Sequence, residues 1–285
     1  MVRAALVAAV TLAVVPQALS YRPAPGAPRP IDGEFTYNFE ITGPDALVKQ
    51  LVASNPVLSI KEIRSTRKGT ITSTVGGGNT SHIELIFDSA QVNGVAAGKP
   101  FTFDFVRTRP LASTDLSTDA ARVVSWGRAM GRRDYLLAPK GDYTLVAGDQ
   151  DAQGEASAIL LDGAVRLAAK PVNVGETWTT NWTGKRKQKN NDGTFAYQQT
   201  ARLDQLTDGP KPTARISFTT RGTLNIPAAK NPQGETTTLE GKGYIVLDVA
   251  KGQLLACESG GAITTEIRQA GLKMVQRMSA RFKAP

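Results

Sequence analysis

Few side chains in this sequence can act as an acid, a base or a nucleophile at neutral pH. The chain has one histidine, His82, and one cysteine, Cys257, among its 285 residues. A single imidazole excludes the common zinc sites that are built from two or three histidines. A catalytic cysteine needs a base that lowers its pKa, and no pattern in the sequence brings His82 near Cys257. We therefore predict that His82 lies on a sheet face or in a turn and that Cys257 is a small buried residue.

The motifs of common enzyme classes are absent from the sequence. There is no GxSxG nucleophile elbow, no HExxH zinc motif, no CxxC pair and no phosphate-binding P-loop. Residues 149–155 (DQDAQGE) match the first half of a calcium loop, but Leu160 occupies the position that should hold a bidentate glutamate. Paired carboxylates could still do acid–base work, yet no spacing among the 25 acidic residues selects a pair. We therefore predict no metal, no cofactor and no catalytic residue, with a hydrolase only as a second alternative.

Basic residues form clusters that could bind an anionic surface. The chain has 34 Lys and Arg against 25 Asp and Glu, a formal net charge of +9. One cluster lines the last predicted strands and consists of Arg268, Lys273, Arg277, Arg281 and Lys283. Another, the basic tip, precedes a hairpin turn expected at residues 190–193 and consists of Lys185, Arg186, Lys187 and Lys189. Nucleic acid is not the expected partner, because no aromatic side chain lies among these four residues. The alternative is a solvated tip whose charge protects the sheet edge.

Apolar and polar residues alternate along much of the chain with the period of a β-strand. Asp-Gly and Pro-Gly-rich breaks near residues 192, 209, 233 and 251 separate these runs as hairpin turns do. The pattern predicts a mainly β (α+β) fold, with a large, curved antiparallel sheet and one or two helices packed against it. The alternating runs are residues 35–41, 83–87, 101–105, 178–182, 195–203, 216–218, 263–267 and 272–282.

Two segments have the period of a helix instead. Residues 44–53 predict a short helix that turns Leu47, Leu51 and Val48 inward. Residues 118–130 predict a second helix, which Thr118 or Asp119 can cap. This second helix could cover the sheet as a lid or could simply fill space.

The N-terminus has the pattern of a secretory signal peptide. Arg3 precedes an apolar run at residues 4–15 that is shorter than the roughly 20 residues needed to span a bilayer. Small residues Ala18 and Ser20 then predict cleavage before Tyr21, which makes residues 1–20 the signal. We therefore expect an exported protein, periplasmic or extracellular, without a transmembrane segment after cleavage.

The mature chain is expected to form one folded unit. Residues 21–31 contain four prolines and predict an extended lead-in. No change in composition divides residues 32–285, so we predict a single antiparallel β-rich domain. Its two strand-rich halves could also form two lobes joined near residues 110–135.

Three short motifs resemble an uncharacterised family of exported bacterial proteins. Residues 171–178 (PVNVGETW) fit its Pro-x-x-Val-Gly-(Asp/Glu)-x-Trp turn, and residues 243–252 (GYIVLDVAKG) fit its Gly-x-x-x-(Phe/Leu)-Asp-x-x-x-Gly element. Residues 136–146 (LLAPKGDYTLV) are similar to its strand, glycine turn and strand. The resemblance implies a fold similar to the lipoprotein-localisation half-barrel, in which helices cover the concave face of a curved sheet. The family has no established activity, so the resemblance implies no catalytic residue.

Two non-catalytic functions are compatible with this pattern. In the first, the half-barrel holds a lipid or another hydrophobic ligand. In the second, an envelope protein binds an acidic surface or partner through the basic tip. The lining expected for the first function could equally be a dry, packed core, and it consists of Phe101, Phe103, Phe105, Trp126, Leu272, Met274 and Met278.

Overall fold

The structure is a computed structural model. It describes residues 16–23, 25–54, 56–96, 98–106, 132–147, 165–186, 193–227 and 231–284. Within these ranges no helix is both long enough and apolar enough to cross a membrane.

In the described part of the chain, twelve strands form one antiparallel sheet. The helices are α1 (Asp45–Ser54) and two short 3-10 helices (Pro56–Ser59 and Arg268–Ala270). The strands, in chain order, are β1 (Arg29–Thr42), β2 (Ile60–Val75), β3 (Ser81–Ala96), β4 (Lys99–Val106), β5 (Arg132–Leu137), β6 (Tyr143–Ala147), β7 (Thr177–Arg186), β8 (Gly193–Thr207), β9 (Thr213–Asn225), β10 (Glu235–Asp248), β11 (Gln253–Ile267) and β12 (Leu272–Lys283).

The sheet joins both halves of the sequence through its first and last strands. The strand order is β6-β5-β3-β2-β1-β12-β11-β10-β9-β8-β7, and β4 pairs with the remaining part of β3. Pairing of β1 with β12 places Phe35 opposite Ala280 and Tyr37 opposite Met278. The predicted fold class, a large antiparallel sheet with few helices, is confirmed.

Alternation along the strands gives the sheet two unlike faces. The inner face carries the buried side chains and the outer face carries the exposed ones. Phe35 of β1, near the middle of the sheet, shares a core cluster with Phe195 and Tyr197 of β8. The cluster also contains one residue from each strand between β1 and β8, so it runs continuously along the inner face of the sheet: Met278, Ile263, Leu239 and Leu224.

Two extended segments outside the sheet cover part of its inner face. Residues 16–22 contribute Leu19 and Tyr21, and residues 165–172 contribute Val165 and Leu167, to the largest core cluster. Sheet residues of the same cluster, such as Ile245, are completely buried. Cys257 also belongs to this cluster and is 1% exposed, which confirms that it is a small buried residue.

One long strand, β2, is not predicted by the alternation of apolar and polar residues. Its inner face carries Ser65, Arg67 and Ser73, which are buried although they are polar, so the segment lacks the usual apolar alternation. The Arg67 guanidinium lies 4.8 Å from the ring centroid of Phe35 and 5.3 Å from that of Phe87. Cation–π contacts and the long aliphatic stem let arginine occupy a position where an apolar residue is expected.

The helix predicted at residues 44–53 is confirmed as α1. None of its residues is buried, so Leu47, Val48 and Leu51 are only half-buried. The helix predicted at residues 118–130 lies outside the described residues, as does the acidic loop at residues 149–155.

Candidate functional site

A groove of about 770 Å³ crosses the outer face of the sheet. This outer groove runs across β1, β12, β11, β10, β9 and β8, which are successive neighbours in the sheet. At about 4.8 Å per strand, its floor is roughly 24 Å long. Its volume is in the range of roughly 300–1,000 Å³ that is usual for small-molecule sites.

Strand register aligns the groove residues in two parallel rows. Each residue of a row is the direct cross-strand partner of the next. Direct partners in a sheet have Cβ atoms about 4.5–5.5 Å apart, so the first row is a continuous line of polar side chains and the second is interrupted only at Gly260. The first row is Glu34, Arg281, Glu258, Tyr244, Ser217 and Arg202, and the second is Thr36, Ser279, Gly260, Lys242, Thr219 and Thr200.

Small residues form the floor of the outer groove and long residues form its walls. Gly260 has no side chain, and Ser217 and Ser279 have short hydroxyl side chains. The hydroxyls of Thr36 and Ser279 lie 2.5 Å apart and form a hydrogen bond. The small side chains at these positions leave open space between the longer side chains that line the groove.

Tyr244 is held in place in the middle of the first row. Its hydroxyl donates to Glu258 Oε2 at 3.2 Å. The Arg215 guanidinium lies 3.6 Å from the centroid of its ring. The hydrogen bond and the cation–π contact already restrict the rotamers of Tyr244 in the free protein. The side chain therefore loses less conformational entropy when a ligand binds.

The outer groove contains three cationic side chains and two carboxylates. Among the described residues, the side chains of Arg281, Lys242 and Glu34 make no hydrogen bond or ion pair. Arg202 has only a long contact, 3.9 Å from Asp204. The charged groups that line the groove are therefore largely available to an external ligand.

The predicted apolar lining falls in two neighbouring parts of the inner face, and Tyr37 of β1 packs against the core clusters of both. Met278 is buried beside Phe35, Leu272 is buried, and Met274 is half-buried on the same strand. Phe101 packs instead beside Ile60 on the other side of β1. Phe103 and Phe105 occupy backbone positions opposite Val92 and Ala90, and Trp126 lies outside the described residues.

The predicted basic tip is only partly described. Lys185 and Arg186 pair with Thr194 and Gly193 at the end of the β7–β8 hairpin. Lys187 and Lys189 lie outside the described residues. The hairpin itself is confirmed, and its role as a binding surface stays a prediction.

Two buried N–H groups on the inner face lack a hydrogen-bond partner in the described part of the chain. They are Trp182 Nε1 and Arg166 Nε. The Arg166 guanidinium lies 4.2 Å from the centroid of the Trp182 ring, which stacks on Tyr197 at 5.2 Å. Because buried polar groups are nearly always hydrogen-bonded, these two donors could bind an oxygen atom of a ligand.

His82, the only histidine, lies on the outer face away from the groove. Its Nε2 is paired with the Asp134 carboxylate, and its Nδ1 lies 3.4 Å from Thr74 Oγ1. The Asp134 side chain is 8% exposed. The described residues contain no group of three or more metal-ligating side chains. The prediction that His82 lies on a sheet face is confirmed, and its contacts indicate a structural pair.

Replacing His82 by alanine is expected to lower the free energy of unfolding by about 1–3 kcal/mol at neutral pH, because the buried Asp134 carboxylate loses a hydrogen-bond partner. Urea unfolding followed by circular dichroism measures this change. Thr74→Val is the matched control, because it removes only the 3.4 Å contact with His82 Nδ1. It should lower the free energy of unfolding clearly less than H82A does. A H82A variant as stable as the unsubstituted protein would contradict the structural role.

No pattern in the sequence predicts the outer groove. Of its charged residues, only Arg281 belonged to a basic cluster noted in the sequence. Strand alternation could have placed each groove residue on the exposed face. It could not have shown that Glu34 and Arg281 are neighbours, because their strands lie at opposite ends of the chain.

Comparisons with known proteins leave the family open. No protein-family model matches the sequence, and the search of curated proteins gives no match. Among solved structures, the chain is similar to DynF from the dynemicin biosynthesis pathway of Micromonospora chersina, with 7% identity, a TM-score of 0.20, and coverage of 96% of this chain and 91% of that chain. It is also similar to a DUF1329 family protein from Desulfovibrio piger, with 8% identity, a TM-score of 0.17, and coverage of 90% and 86%. TM-scores this low support no inference about fold or ligand, so the family resemblance of the three sequence motifs stays a prediction.

Proposed function

We propose that this protein is a non-catalytic binding protein that holds an acidic, hydroxyl-rich ligand in its outer groove. The observation that carries the proposal is the pair of polar rows across six strands, in which the side chains of Lys242 and Arg281 have no hydrogen-bond or ion-pair partner among the described residues. An anionic oligosaccharide, such as a uronic acid oligomer, has the matching chemistry. The net charge of +9 would attract such a polymer over a longer distance.

Each part of the ligand has a partner of suitable chemistry in the groove. Ligand carboxylates can accept hydrogen bonds from Arg202, Arg281 and Lys242, and arginine suits a planar carboxylate especially well. Ligand hydroxyls can donate to Glu34 and Glu258, and can exchange hydrogen bonds with the serine and threonine hydroxyls. A ligand with carboxylates alone would leave the two glutamates facing like charge, so the groove favours a ligand that carries both groups.

Titration calorimetry with a short oligogalacturonate tests this function. We expect binding that weakens by at least about tenfold between roughly 0.01 M and 1 M salt, where the Debye length falls from about 30 Å to about 3 Å. A neutral oligosaccharide of equal length is the matched control and should bind much more weakly. Equal affinity for both ligands, or an affinity that does not respond to salt, would contradict the proposal.

The second candidate is a hydrophobic ligand with a polar head on the inner face. The observation that favours it is the pair of buried donors on Arg166 and Trp182, which could bind a carboxylate or headgroup oxygen. Met278 and Phe35 would be part of the apolar lining. Mass spectrometry of an organic extract from protein purified without detergent tests this candidate. A stoichiometric lipid would support it, and an extract without lipid from folded protein would contradict it.

A further inference from the structure

Residues 17–22 are bound to the folded domain by their backbone. Gln17 N donates to Val172 O at 2.8 Å, and Val172 N donates back to Gln17 O at 3.0 Å. Tyr21 N donates to Pro139 O at 2.8 Å. We call residues 17–22 the N-terminal strap. These bonds attach the strap to two parts of the chain that are distant in sequence.

Side chains of the strap alternate between the core and the surface. Leu19 is 1% exposed and Tyr21 is 5% exposed, and both pack in the largest core cluster. The Tyr21 hydroxyl donates to Val165 O at 3.1 Å. Ala18 and Arg22, on either side of this pair, are exposed, and Ser20 between the two is half-buried. This pattern is typical of a strand with one side packed on a core. It is not expected for an unstructured leader.

Two residues of the folded domain, Lys140 and Gly252, contact the backbone of the strap. Lys140 Nζ donates to Leu19 O at 2.7 Å, and Arg22 N donates to Gly252 O at 3.1 Å. A Cβ atom at position 252 would lie 2.7 Å from Ser20 O, so glycine is needed for this close approach. Desolvation by burial, and secondly the charge of Arg22, lower the pKa of Lys140.

We propose that the N-terminal strap is a permanent part of the exported protein, and that proteolytic processing leaves Gln17 and the residues after it in place. Cleavage before Tyr21, the position that the sequence pattern favours, would remove Leu19 from the core and the carbonyl that Lys140 binds. It would also create a charged amino group at Tyr21 N, which now donates to Pro139 O. That ammonium would be close to the Lys140 ammonium, and two like charges in a partly buried place are costly.

Two substitutions within the strap, made in the full-length gene, test the proposal. Leu19→Ala removes a buried side chain, and Ala18→Ser is the matched control at an exposed position. Both keep small residues where a signal peptidase requires them. The variants are exported by the native host and purified, and their intact mass, N-terminal sequence and thermal midpoint are measured.

We expect each purified variant to carry the mass change of its substitution and to begin at or before Gln17. The L19A protein should unfold about 5–15 °C below the unsubstituted protein, from the usual cost of deleting a buried leucine side chain, whereas the A18S protein should not. If the strap is cleaved off, the two substitutions disappear with it. All three proteins would then have the same mass, begin after Gln17 and unfold at the same temperature, and this result would overturn the proposal.

Discussion

Replacing Arg202 and Arg281 together by glutamine is expected to weaken oligogalacturonate binding by at least about 100-fold. A hydrogen bond to a charged group contributes about 1.5–3 kcal/mol, so two such bonds correspond to about 3–6 kcal/mol. The residues lie in the same row, on β8 and β12, with three strands between them, a separation of roughly 19 Å. At this distance the two sites contact different parts of the ligand, and their effects should be nearly additive.

The matched control for this double variant is Lys68→Gln. Lys68 is an exposed residue on the same sheet, and it does not line the outer groove. Its replacement lowers the net charge in the same way but should change affinity only slightly, through long-range attraction. The double variant removes two positive charges and K68Q removes one. If the loss of binding free energy per charge is the same in both, the ligand responds to net charge rather than to the groove, and the assignment of the site is wrong.

Alkaline pH is expected to destabilise the protein steeply, starting near pH 10. Desolvation by burial raises the pKa of both Tyr21 and Tyr37 above the value of about 10 that tyrosine has in an unfolded chain. Above pH 10 the unfolded chain releases these two protons while the folded protein keeps them. Stability that is complete below pH 10 is therefore lost as pH rises, by about 1.4 kcal/mol per pH unit for each tyrosine.

The double variant Tyr21→Phe with Tyr37→Phe should remove this sensitivity. The two tyrosines together predict a slope of about 2.7 kcal/mol per pH unit, which is a large part of a typical stability of about 5–15 kcal/mol. At pH 7 the variant should be modestly less stable, because the Tyr21 hydroxyl no longer donates to Val165 O. Urea unfolding between pH 8 and pH 11 measures the slope. If the slope is the same in both proteins, other groups cause the alkaline unfolding.

Lys140 affects the pH dependence in the opposite direction. Its lowered pKa means that the folded protein releases this proton before the unfolded chain does. Stability from this group therefore rises with pH, which partly offsets the tyrosines. Lys140 is a single group and is less buried than the two tyrosines. The tyrosines should therefore determine the direction in which stability changes with pH.

Most strands could be predicted from the sequence because their side chains alternate. The inner face of β8 carries Phe195, Tyr197 and Leu203, all buried, while the residues between them are exposed. Turn glycines such as Gly252, with a φ of 60°, mark the ends of hairpins correctly. Strand β2 could not be identified in this way, because its buried positions include Arg67 and two serines whose burial depends on their neighbours in the folded protein.

The N-terminus shows a different limit of sequence patterns. Residues 4–20 have the composition of a signal peptide, and that pattern is local. The strap is bonded to Val172, Lys140 and Gly252, which lie far along the chain. A local pattern cannot report such contacts. The sequence pattern therefore assigned residues 17–20 to the signal, whereas Leu19 packs in the core of the folded protein.

By itself, the sequence determined most of the strands and the side of each that is apolar, because both properties repeat every two residues along the chain. Strand β2, whose buried positions are partly polar, is the exception. Only the tertiary structure decided the outer groove. Glu34 and Arg281 become neighbours through the pairing of β1 with β12, and Arg202 joins their row through four further pairings. A shift of one residue in any of these registers would turn the side chains of that strand to the other face. The register between strands that are distant in sequence depends on the packing of the whole sheet. The outer groove depends on that register and therefore on the same packing.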